Sequence, residues 1–96
     1  MITLIATLKV KEGKMDEALQ ILREAVPQVK GSEPGCLAYI PHTVKGDANK
    51  NTIVFYERYK DKEALKVHSE NLPKTLGKLL VLLEPQMDIK TCEEII

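Results

Sequence analysis

The sequence predicts an α+β fold: an antiparallel sheet with helices on one face. Three observations predict it. Strand-like segments alternate apolar and polar residues with a period of two, helical segments repeat apolar residues at a spacing of three and four, and short turn-rich stretches separate them. In order the elements read β-α-β-β-α-β, with the second helix broken in two. That order is the split-βαβ, ferredoxin-like arrangement. Residues 1–96 are expected to form one domain.

Ile2 to Val10 is rich in β-branched residues and sets Leu4, Ala6 and Leu8 against Thr3, Thr7 and Lys9, giving a first strand. Gly13 marks the turn after it. Met15, Ala18, Leu19, Leu22 and Val26 then fall at helical spacing, with Asp16 and Glu17 in the first turn where the macrodipole favours them. Pro27 should stop or kink this helix within a few residues, and Lys30 to Gly35 reads as a loop. Cys36 to Thr43 gives a second strand, with Leu37 and Tyr39 opposite Cys36, Ala38 and Ile40. The polar run Lys45 to Asn51 turns the chain into a third strand, Thr52 to Tyr59. Asp61 suits the N-cap of a second helix, Pro73 the first turn of its continuation, and Pro85 its end. Gln86 to Thr91 is the expected fourth strand, followed by a tail ending in two isoleucines.

Fourteen basic residues balance fourteen acidic ones, and the basic ones are scattered, so no field favours nucleic acid or anionic lipid. No apolar run approaches the ~18 residues of a membrane span. Lys9 and Lys11 close the first apolar run too early for a signal peptide. Two cysteines, Cys36 and Cys92, do not make a disulfide framework. The expectation is a cytoplasmic protein with reduced thiols and neither a nucleic-acid nor a membrane partner.

Helices on one face leave the other face of the sheet open. Strand parity places Ile5, Leu37, Tyr39, Val54 and Tyr56 there, a set too apolar for water. A two-fold homodimer packed sheet on sheet is the expected solution, with Tyr39 and Tyr56 in its interface.

On the third strand, Phe55, Glu57 and Tyr59 share the parity that faces the helices. A carboxylate there is desolvated, which raises its proton affinity and suits it to general-base work near neutral pH, although a structural salt bridge would also explain it. His68 follows Ala64 and Leu65 by one helical turn and shares their inward face, where imidazole can move a proton or simply fill the core. Glu57 and His68, eleven positions apart, can meet at one pocket across a strand–turn–helix. They are the catalytic candidates, and Tyr59 and Phe55 the substrate-binding ones. The lone histidines and cysteines supply no metal set, and the isolated glycines no phosphate loop. No cofactor is expected.

The residues Pro34-Gly35-Cys36-Leu37, the run Phe55-Tyr56-Glu57-Arg58-Tyr59-Lys60-Asp61, and Ala64-Leu65 with His68 resemble the antibiotic biosynthesis monooxygenase domain family, as does the turn Glu12-Gly13-Lys14. The resemblance implies a dimeric α+β barrel of ferredoxin-like subunits. It also brings in cofactor-free monooxygenases of quinol-like aromatics, haem-degrading enzymes, and a branch that isomerises the phosphorylated autoinducer-2 signal. The haem-degrading members carry Asn, Trp and His where this chain has Ala6, His68 and Lys78, so haem degradation is not expected. The isomerases carry a His just after the helix proline, where Pro73 is here followed by Lys74.

The leading expectation is therefore a homodimeric, cofactor-free monooxygenase of a small organic, quinol-like molecule. One alternative is an isomerase of a small phosphorylated carbonyl compound, with Lys74 or Lys78 on the phosphate. Another is a non-catalytic small-molecule-binding or stress-response module.

Overall fold

The computed structural model describes residues 1–96 and has the expected order: β1 (Ile2–Val10), α1 (Met15–Ser32), β2 (Cys36–Thr43), β3 (Thr52–Tyr59), α2 (Lys62–Leu80) and β4 (Leu83–Cys92), with a 3-10 turn at Asp47–Asn49. The strands form one antiparallel sheet in the order β2-β3-β1-β4. This is the ferredoxin-like α+β fold.

The parity read for β1 and β3 holds. Leu4, Ala6, Leu8, Ile53, Phe55, Glu57 and Tyr59 are buried, while Ile5, Val54, Tyr56 and Arg58 are partly open. Asp61 caps α2 as expected, its carboxylate accepting the Ala64 amide at 2.9 Å. The break in α2 falls at Leu76 (φ −121°, ψ 16°), one turn past Pro73. A proline there removes one amide from the helical ladder. The Thr75 hydroxyl donates to the Asn71 carbonyl at 3.2 Å, taking up an acceptor beside the break.

Three expectations are corrected. The helix α1 is not broken near Pro27 but continues to Ser32, beyond the expected start of the loop. Ala25 and Val29 carry its buried stripe past the proline, while Pro27 and Arg23 are exposed, so water can solvate the carbonyl that Pro27 cannot bond. Pro85 does not end α2; it lies inside β4, which begins at Leu83. The ladder to β1 shifts register between Leu8 and Val10, and β4 is an edge strand, where a missing amide is tolerated.

The third correction concerns β2. Cys36 pairs with Tyr59 and Ala38 with Arg58, so two residues of β2 oppose one of β3 across a bulge at Leu37. The bulge reverses parity. Tyr39 therefore turns inward, 2% exposed, its ring 5.0 Å from that of Phe55. It is a core residue rather than part of the open face, whose β2 members are Ala38, Ile40 and His42.

Candidate active site

β3 sends Glu57 and Phe55 toward α2, and the first half of α2 sends His68 back. Both Glu57 and His68 border one apolar cavity of about 140 Å³ between sheet and helix, and Phe55 and Tyr39 form part of its wall. Sixteen residues line it, thirteen of them hydrophobic; the polar ones are Glu57, His68 and Ser69. Its β4 side carries Met87 and Ile89, 47% and 56% exposed despite facing the helix layer.

Glu57 is buried, and its carboxylate accepts a 2.6 Å hydrogen bond from the Tyr59 hydroxyl, two residues along the same strand face. Burial raises its pKa above the usual carboxylate value, against the opposing pull of the Tyr59 bond and of the nearby His68 ring. Tyr59 does not line the cavity but stands behind Glu57, with its ring 5.3 Å from that of His68. Against the expectation that Tyr59 faces a substrate, it is Glu57 that reaches the cavity, and the Tyr59 hydroxyl bonds to that carboxylate. Phe55 does reach the cavity.

His68 bonds not to Glu57 but to a residue outside the expected site. Its Nδ1 lies 2.8 Å from Oε1 of Glu33, which is 2% exposed. Glu33 caps the C-terminus of α1, its amide bonding the Val29 carbonyl at 3.0 Å. The Pro34-Gly35 turn then folds closely over the start of α2. A Cβ at Gly35 would stand 2.5 Å from the Ala64 Cβ, so only glycine allows this approach. The Lys60 amide bonds the Gly35 carbonyl at 2.8 Å and closes the junction. Tyr39 adds an edge-on ring contact to His68 at 4.9 Å.

Two of the other candidate groups lie elsewhere. Lys74 and Lys78 face a groove between α1 and α2, with Glu24 and Gln28, and neither lines the cavity. Burial, with the charges of Glu33 and Glu57, pushes the Cys36 thiol up to about 11, which keeps it protonated and a poor nucleophile. His42 is exposed at the end of β2. No cluster of three or more His, Cys, Asp or Glu is arranged to hold a metal ion. No helix is long and apolar enough to cross a membrane.

The sequence matches the antibiotic biosynthesis monooxygenase family over residues 1–72, from β1 through the helical turn after His68. The chain belongs to that family. Among solved structures it is similar to an antibiotic biosynthesis monooxygenase at 23% identity and a TM-score of 0.82, with 100% of both chains covered. A Caulobacter crescentus protein provisionally assigned to the family shares 24% identity and a TM-score of 0.83, over 99% of this chain and 90% of that one. A Pseudomonas aeruginosa protein gives 24% and 0.82, over 99% and 94%. These likenesses establish the fold. No curated protein matches the sequence. Within the family frame, Glu33, Gly35, Glu57 and His68 all fall inside the matched segment, whereas Met87 and Ile89 lie beyond it.

Proposed function

We propose that this family member is a cofactor-free monooxygenase of a small, uncharged, quinol-like aromatic, acting in the cytoplasm as a homodimer. The observation that carries the reading is the convergence of Glu57 and His68 on a cavity otherwise walled by hydrophobic side chains. An aromatic ring suits such walls, and the two polar groups suit a ring hydroxyl that must lose a proton. The cavity, about 140 Å³, is close to the roughly 150 Å³ that accommodates one benzene ring, which favours a single ring over a fused system. The lining holds a carboxylate and no Lys or Arg. A phosphorylated carbonyl compound would meet Glu57 with no cation to offset it, so the isomerase reading loses the support that Lys74 and Lys78 would have lent it.

Removing the hydroxyl proton gives an electron-rich anion that can pass electrons to dioxygen. A hydroquinone and dioxygen then yield a hydroxyquinone and water: one oxygen atom enters the ring, the other leaves as water, and all the electrons come from the substrate. The family's proton-handling step thus falls to Glu57 and His68, with Tyr59 orienting the Glu57 carboxylate.

The homodimer reading is supported by the open face of the sheet, where Ile5, Ala38, Ile40, Val54 and Tyr56 form an apolar surface without a cover.

The test is oxygen uptake with a panel of substituted hydroquinones and no added metal or flavin. Turnover is expected with single-ring substrates, falling by ~10²-fold or more in Glu57→Gln and in His68→Ala. Turnover unchanged in both variants would overturn the acid–base assignment. Binding without turnover across the panel would leave the binding-module reading in its place.

A further inference from the structure

We propose that Glu33 is a positioning residue that makes His68, rather than Glu57, the proton acceptor of the site. This inference rests on the proton-handling role proposed above and divides it between the two residues. Three observations lead to it. Glu33 is 2% exposed, yet its carboxylate has a short 2.8 Å bond to Nδ1 of His68 and only a long 3.5 Å contact from Asn71 otherwise. A buried carboxylate accepts, so with the imidazole neutral the proton sits on Nδ1 and the lone pair is left on Nε2. Nε2 bonds to no protein atom, and the one side-chain nitrogen or oxygen that is both sealed from solvent and unpartnered is Arg58 Nε. The free lone pair of His68 therefore opens onto the cavity that the ring lines.

Charge bookkeeping favours the same division. Proton transfer from a substrate hydroxyl to Nε2 breaks one O–H bond and forms one N–H bond, leaving a substrate anion and an imidazolium. The imidazolium is created 2.8 Å from a carboxylate already buried beside it, so the transfer turns an unpaired buried charge into an ion pair. Transfer to Glu57 would relieve the burial of that carboxylate but would weaken the acceptor that the Tyr59 hydroxyl holds and would form no ion pair. Glu57, with its carboxyl fixed by the Tyr59 hydroxyl, is left to hold the substrate by a hydrogen bond.

Gly35 makes the arrangement possible. Glu33 reaches His68 because the turn after it lies against Ala64, one helical turn before His68.

The decisive measurement needs no substrate. In ¹⁵N-histidine-labelled protein, with His42→Gln identifying the second ring, the neutral form of His68 should carry its proton on Nδ1 and none on Nε2. A neutral ring with its proton on Nε2 would overturn the proposal. Glu33→Gln supplies the kinetic arm: kcat should fall ~10²-fold with KM little changed, because the lost interaction is with the imidazolium and not with bound substrate. Full kcat in Glu33→Gln alongside loss of activity in His68→Ala would sink the role of Glu33 while leaving the proton-handling role of His68 standing. Full activity in both would sink the two together.

Discussion

The two faces of the sheet are built from the same strands and differ in what they ask of their residues. The face under the helices buries Glu57 among Leu4, Ala6, Phe55 and Tyr39, and brings His68 and Glu33 onto it from two different helices. Every polar side chain there has a partner or opens onto the cavity. The other face has no helix, and its one buried polar atom without a partner, Arg58 Nε, belongs to a side chain reaching Glu94 at 2.7 Å along the surface. Successive residues of β3 thus experience unlike surroundings: the inner ones are fixed by packing, while the outer ones await a cover.

Adjacent residues of β3 offer the sharpest way to break this comparison. Phe55→Ala, on the inner face, should cost about 3–5 kcal/mol in urea-induced unfolding. Val54→Ala, one position away, should cost no more than about 1 kcal/mol in the separated subunit. Equal costs would show that the open face is as tightly packed as the covered one. A smaller effect is expected for association. Wild-type protein should sediment at twice the chain mass at micromolar concentration, and Tyr56→Glu should weaken pairing by at least tenfold, or ~1.4 kcal/mol. Wild-type protein that stays monomeric would leave the open face without the partner proposed for it.

The smallest effect separates stability from chemistry at Glu57. Burial raises its folded-state pKa above the ordinary 4.5. A carboxyl shifted in this direction contributes stability that is complete below the unfolded pKa and is lost as pH rises through the folded pKa. Glu57→Gln stays neutral, so it should melt a few degrees above wild type at neutral pH, with the difference closing below about pH 4. The same substitution is expected to slow turnover. A Gln variant that melts at or below wild type at pH 7 would show that the Tyr59 bond outweighs desolvation.

Much of the fold could be read from residue order because β1 and β3 keep an unbroken period of two, and α2 begins with a good cap at Asp61. The misread parts share a cause. The bulge at Leu37 leaves no trace in composition, yet it moves Tyr39 from the open face to the wall of the cavity. Pro27 weighs against helix locally, but burial of Ala25 and Val29 outweighs one lost hydrogen bond. At the site, Glu57 and His68 could be found from parity and helical phase. Glu33 could not, since a glutamate before Pro-Gly looks like any solvated turn residue. The only signal near it was Gly35, whose need for close approach appears once α2 is in place.

The sheet has two ends as well as two faces, and each end carries a proline: Pro41 in β2 and Pro85 in β4. A proline offers no amide to an incoming strand, so both rims are poor templates for edge-on addition. Glu84, exposed beside Pro85, adds a charge at one of them. Growth by strand addition, the route to open-ended fibrils, is therefore discouraged at both rims. A pairing through the face closes on itself after two copies, so the apolar face can remain sticky without making the protein prone to endless polymerisation.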